Sequence, residues 1–177
     1  MKMTTPFFML LFVATLIACG PTVAGYEEEA EAMRKVKDYK GAIEAYTKAI
    51  ELDPISAISY SNRAVSKLDL HDYKGALEDC NKAIRLDPNC NSFYVNRGAC
   101  RSDMKDHKGA IEDYDVTIKL KPKDALHYIA RGWAKDAMND SDGATVDFAM
   151  AVKLDPKTKD FLPSCKLVGI QWVLEKK

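Results

Sequence analysis

The side chains here best suited to chemistry are three histidines, five cysteines and several adjacent carboxylates. Their spacing argues against a reaction centre. His71, His107 and His127 share no catalytic or metal-binding interval, and none pairs at i, i+4 along a helix. His71 and His107 read as surface residues of turns. Cys80, Cys90, Cys100 and Cys165 make no C-x-x-C pair, so neither a zinc site nor a redox motif is expected. Cys90 and Cys100 bracket one helix and stand roughly 14 Å apart, too far for a disulfide. Cys80 reads as a small buried hydrophobe. The carboxylate pairs Glu78-Asp79 and Glu112-Asp113 recur at a fixed interval, which points to structure and not to one acid/base site. No glycine-rich phosphate loop is present. The expectation is a protein without catalytic residues, cofactor or metal.

The interval that repeats the carboxylates also repeats the rest of the chain. Pro54, Pro88, Pro122 and Pro156 stand 34 residues apart. Each closes a near-copy of one phrase, which opens Asp38-Tyr39-Lys40-Gly41-Ala42 and returns at Asp72, Asp106 and Asp140. With the proline at position 32, the units are 23–56, 57–90, 91–124 and 125–158. Position 4 is Tyr26, Tyr60, Tyr94 and Tyr128; position 8 is Ala30, Ala64, Gly98 and Gly132. Position 20 is always alanine, and position 24 is Tyr46, Cys80, Tyr114 and Phe148. Each unit carries two apolar-periodic stretches of helical length, such as Ile58 to Leu70 and Tyr73 to Leu86. The proline and the aspartate or lysine before it end the second helix. One helical hairpin cannot bury both its faces, so the units must stack.

This aromatic, small, alanine, aromatic, proline pattern resembles the tetratricopeptide repeat. The resemblance implies an all-α fold: an α-solenoid of four helix-turn-helix tetratricopeptide repeats plus a C-terminal capping helix at 159–177. It also implies a concave groove lined by the first helix of each unit, which binds a protein or peptide partner. Carried over by position, the groove residues include Ser61, Asn62, Val65 and Asp69 from unit 2, Ser92, Val95, Asn96, Ala99, Ser102 and Asp103 from unit 3, and Ile129, Ala130 and Trp133 from unit 4. Some members of the family clamp the terminal carboxylate of chaperone tails at five places in this groove. Only Asn62 matches them here; the others are Glu27, Glu31, Ser92 and Asn96, and two glutamates repel a carboxylate. Asn62 and Asn96, one repeat apart, are expected to hold an extended peptide backbone, because an amide donates and accepts at once. The alternative is that each caps or bridges neighbouring units. Val65, Val95, Ile129 and Trp133 would supply apolar contact, with Trp133 either the main anchor or packed against the C-terminal cap.

Comparison between the copies identifies one further constellation. Position 7 is arginine and position 23 aspartate in units 2 to 4: Arg63 with Asp79, Arg97 with Asp113, Arg131 with Asp147. In unit 1 both change together, to Glu29 and Ala45. Paired change implies contact, so ion pairs between helices are expected, not a basic ladder for an acidic ligand.

Charge is balanced, with 26 basic and 26 acidic residues, which argues against a nucleic-acid partner. The N-terminus has an apolar run from Phe7 to Ala18 of signal-peptide length, too short to span a bilayer. Its end, Leu16-Ile17-Ala18-Cys19, resembles the bacterial lipobox. The reading is a signal peptide at 1–18, a lipid-attached tether at 19–25 with Cys19 acylated, and membrane association through that lipid. The signal implies export, and the lipobox resemblance, with Gly20 and not aspartate after the cysteine, implies the outer membrane facing the periplasm in a cell that has one. The alternatives are a cut after Ala24, giving a secreted soluble protein, and an uncleaved anchor. The first helix is expected from Tyr26. At the other end, Pro163 begins a final helix to about Glu175. Leu167, Ile170 and Leu174 form one face that closes the stack, while Cys165, Val168 and Trp172 form another that could meet a second copy or a partner.

Overall fold

The computed structural model describes residues 22–162, together with 170, 173 and 174. The helices run in pairs. Unit 1 holds α1 (Val23–Lys35) and α2 (Tyr39–Leu52), and unit 2 holds α3 (Ala57–Asp69) and α4 (Tyr73–Leu86). Unit 3 holds α5 (Asn91–Asp103) and α6 (His107–Leu120), and unit 4 holds α7 (Ala125–Ala137) and α8 (Ser141–Leu154). A 3-10 turn follows over Pro156–Phe161. Each helix packs on the next in sequence, and α3 also touches α5, so the hairpins form one continuous stack.

The turn inside each unit is built from the same parts. The first helix ends on a left-handed residue: Lys37, His71, Lys105 and Asn139, with φ of 61–64°. Two backbone bonds enforce it. In unit 2, His71 N–H donates to the Leu68 carbonyl and Asp72 N–H to the Lys67 carbonyl, both at 2.9 Å. The next aspartate then caps the second helix. Asp38, Asp72, Asp106 and Asp140 each accept from the backbone N–H of the glycine three residues on, at 2.9–3.0 Å. A Cβ at Gly75, Gly109 or Gly143 would lie 2.2–2.3 Å from the capping carboxylate, which would have to turn aside to admit it.

The small residues at position 8 receive the bulky ones at position 24. A Cβ on Gly98 would meet the Tyr114 ring at 2.7 Å, and one on Gly132 the Phe148 ring at 2.4 Å. Between units, the Tyr94 and Tyr128 hydroxyls donate to the carbonyls of Pro88 and Pro122 at 3.0 and 3.1 Å. Unit 4 closes on a core of Ala144, Phe148, Ala149, Leu162 and Ile170, with Ile129, Val152 and Val173 against it.

Two expectations at the ends are corrected. The first helix begins at Val23, not Tyr26, because the Thr22 hydroxyl caps it by accepting from Gly25 N–H at 3.0 Å. Residues 23–25 of the expected tether are therefore helical. At the other end Ile170 is buried as expected, but Leu174 is 40% exposed, and Val173 takes its place against the core. Cys19, Cys165, Val168 and Trp172 lie outside the described residues. Among the described residues, no helix is long and apolar enough to cross a membrane.

Candidate functional site

The arginines and aspartates at positions 7 and 23 meet between the two helices of each unit. Arg63 reaches Asp79 through Nε and Nη2 at 2.8 and 2.7 Å. Arg97 grips Asp113 through the same two atoms, with a shortest contact of 2.6 Å, and Arg131 grips Asp147 at 2.8 and 2.5 Å. The aspartates are almost wholly buried. The hydrogen bonds that Arg63 and Arg131 donate to Asp79 and Asp147 raise the pKa of each arginine; at Arg97 burial opposes the charge and Asp113 overcomes it.

The clusters extend beyond the expected pairs. The cation at position 11 joins the same carboxylate: Lys67 to Asp79 at 2.7 Å, Arg101 to Asp113 at 2.9 Å, Lys135 to Asp147 at 2.9 Å. Each arginine also sends Nη1 back to the preceding unit, to Thr47 (3.1 Å), Asn81 (2.8 Å) and Asp115 (2.6 Å). Those three are the polar residues at position 25, a signal present in the sequence; unit 4 has Ala149 there. The six cations have side chains only 16–23% exposed. They hold the stack together and offer little to an acidic ligand.

With the cations held inside, the concave face depends on other groups. Asn62 is half-buried, and its side-chain amide makes no hydrogen bond among the described residues. Asn96 is different: its Nδ2 donates to Ser61 Oγ at 2.9 Å. Asn96 therefore bridges units 2 and 3, and Ser61, 3% exposed, does not line an open groove as expected. The glutamates of unit 1 are engaged too. Glu27 accepts from the Ser59 hydroxyl and Glu31 from the Tyr46 hydroxyl, both at 2.5 Å. Ser92, Asp69 and Asp103 are exposed or partly so, as are Val65 and Val95. Ile129, expected in the groove, packs against the core of unit 4 because the C-terminal residues close over that side.

Trp133 packs on the second helix of its own unit. Its ring lies 5.1 Å from the Phe148 ring at 60°, yet 39% of the residue stays exposed. It borders a cavity of about 390 Å³ between units 3 and 4, with Ala99, Ser102, Asp103, His107, Tyr114, Ala130, Ala134 and Ala137. Of the expected groove residues, this cavity brings together Ala99, Ser102, Asp103, Ala130 and Trp133. His107 was expected at the surface of a turn; instead it lines the cavity, with Nδ1 shielded and without a hydrogen-bond partner.

No group of His, Cys, Asp and Glu suited to a metal ion occurs among the described residues. Cys80, Cys90 and Cys100 are free thiols. Burial pushes the Cys80 thiol up to about 12 and the Cys100 thiol to about 11, so neither is a nucleophile at neutral pH.

Residues 23–56 and 57–90 each match a family model described as Tetratricopeptide repeat. Among solved structures, the crystal structure of MamA superposes with a TM-score of 0.75 at 24% identity, over 84% of this chain and 87% of that one; this likeness concerns the fold. The first TPR of Spaghetti (RPAP3), bound to the HSP90 peptide SRMEEVD, gives 0.65 at 26% identity, over 67% of this chain and 94% of that one. The second TPR domain of human RPAP3, in complex with the HSP70 peptide SGPTIEEVD, gives 0.62 at 26% identity, over 64% and 94%. The chain is a solenoid of tetratricopeptide-type helical hairpins, and its first two units are tetratricopeptide repeats by sequence as well as by shape.

Proposed function

We propose that this protein is a non-enzymatic adaptor of the bacterial cell envelope, which holds an extended segment of a protein partner in its concave groove. Two observations support this reading: the Asn62 amide has no hydrogen-bond partner among the described residues, and Trp133 borders a cavity; the repeat pattern assigns both residues to the groove side of their helices. The amide can bond a peptide backbone in both senses, while the cavity takes a side chain. Two backbone-type bonds contribute only about 0.5–1.5 kcal/mol each, so the indole is the main source of affinity. Peptide-bound relatives of this fold support a peptide ligand. A chaperone-type terminal carboxylate fits poorly, because Glu27 and Glu31 stand where that ligand would need cations.

Cys19 is the proposed lipid attachment point, with the outer membrane as destination. Only Gly20, Pro21 and Thr22 separate it from α1, so the stack would lie close to the bilayer. Cleavage after Ala24 would instead cut inside α1 and remove its cap. Cys165, Val168 and Trp172 are proposed as a contact for a second copy.

Affinity capture from membranes tests the groove. Asn62→Ala combined with Trp133→Ala should abolish recovery of the partner, and unchanged recovery would overturn the reading. Mass spectrometry should find an acylated Cys19, and Cys19→Ala should release the protein from membranes; an unmodified chain starting at Gly25 would end the lipid proposal. Solution size should fall from dimer to monomer in Trp172→Glu, and a monomer in both forms would remove the second copy.

A further inference from the structure

The cavity between units 3 and 4 has a composition that selects for one kind of side chain. Among its lining residues only Asp103 carries a formal charge at neutral pH, and Asp103 makes no ion pair or hydrogen bond among the described residues. Lys105, two residues on, does not line the cavity, and neither Arg101 nor Lys135 of α7 can serve it without breaking the stack. Arg101 is bound to Asp113 and to the Gly109 carbonyl, and Lys135 to Asp147. The same cavity is bordered by the half-exposed indole of Trp133, fixed from behind by Phe148. Ala99 and Ala130 complete an apolar wall.

An aromatic surface and an uncompensated carboxylate on one cavity favour a flat cation. A guanidinium stacks on an indole and still presents in-plane N–H donors to a carboxylate. Its methylene stem suits the alanine wall. A neutral aliphatic side chain would desolvate Asp103 with nothing in exchange. An acidic side chain would be repelled. The unpartnered Nδ1 of His107 on the same cavity adds an acceptor when that atom is unprotonated.

We infer that this cavity is a specificity pocket for an arginine side chain of the bound segment, stacked on Trp133 and paired with Asp103. The inference rests on the reading of the concave face as the peptide groove.

Nuclear magnetic resonance of the intact chain tests it, with the Trp133 indole N–H as reporter and Trp172→Phe for its assignment. The probes are N-acetyl-arginine methylamide, its neutral isostere N-acetyl-citrulline methylamide, and N-acetyl-norleucine methylamide. Arginine should shift the Trp133 signal saturably, and both neutral probes should bind about tenfold more weakly, as for the loss of about 1.4 kcal/mol. Asp103→Asn, an exposed position that leaves the fold intact, should weaken arginine binding by a similar factor and leave norleucine unchanged. Norleucine binding as tightly as arginine, or arginine indifferent to Asp103→Asn, would sink the arginine pocket and leave the groove reading standing. The pocket also falls, and the groove stands, if no probe moves Trp133 while partner capture still depends on Asn62. Capture indifferent to both Asn62 and Trp133 would remove the groove reading, and the pocket with it.

Discussion

Unit 1 and the three units after it have the same helices and turns but join those helices differently. In units 2 to 4 a buried aspartate holds two cations, and the arginine also reaches the unit before. In unit 1 the aspartate's place is taken by Ala45, 2% exposed, and Glu29 lies in solvent. Closure comes instead from the Tyr46 hydroxyl on Glu31, with Arg34 at 3.4 Å on the same oxygen. Burial and then that bond to the carboxylate raise the Tyr46 pKa. The difference shows what the arginine is for. Each arginine at position 7 reaches a residue of the repeat before it, and the pair is missing in the one unit that no described repeat precedes. The ion cluster fastens one unit to another as well as one helix to its partner.

The sharpest way to break this comparison is to remove one hub. Asp113→Ala leaves Arg97 and Arg101 without their carboxylate and should destabilise the protein by about 3–5 kcal/mol in urea unfolding. Asp115→Ala removes an outer partner that is 55% exposed and should change stability by less than about 1 kcal/mol. Equal effects would show that burial of the hub does not matter. The counterpart in unit 1 is Tyr46→Phe, which removes the bond to Glu31 and should destabilise by about 1 kcal/mol.

The joints between units also differ, and pH separates them. Between units 3 and 4, Asn91 Nδ2 lies 2.8 Å from His127 Nε2, and His127 is 7% exposed. With His127 neutral, Nε2 accepts from the amide. Burial lowers its pKa, Lys121 adding to the effect and Asp124 opposing it. The unfolded chain therefore takes up this proton first, and stability falls as pH drops below the ordinary histidine value of about 6.5. Urea midpoints should decline between pH 7.5 and 5.5, and His127→Gln should flatten that decline. An unchanged slope in the variant would assign it to other groups.

The sequence carried the fold because the repeat states each local rule four times. Asp38 and Gly41 fix a turn, and their copies at 72 and 75 make the rule visible. The same grammar was present at Thr22 and Gly25, where it marked the true start of α1. The arginine–aspartate clusters were legible because unit 1 lacks both members. The groove was less so. Whether Asn96 meets a peptide or Ser61 depends on the rotation of one unit on the next, and spacing within a unit does not encode that. Ile129 could be placed in groove or core only once Leu162 and Ile170 were seen to close over unit 4. His107 occupies a turn position by sequence, yet borders a cavity whose other wall comes from α7.

The smallest expected effect is also the strictest test of the comparison. Glu29→Arg with Ala45→Asp would give unit 1 the pair its neighbours have. Ala45→Asp alone buries a lone carboxylate and should destabilise by about 3 kcal/mol, whereas Glu29→Arg alone, at an exposed position, should change little. Together they should return stability to within about 1 kcal/mol of the parent, because a well-made buried ion pair roughly matches the apolar contact it replaces. A double-mutant cycle would then show strong coupling with almost no net gain. A net gain of more than about 2 kcal/mol would mean that the cluster stabilises a unit by itself, without a preceding unit for the arginine to reach.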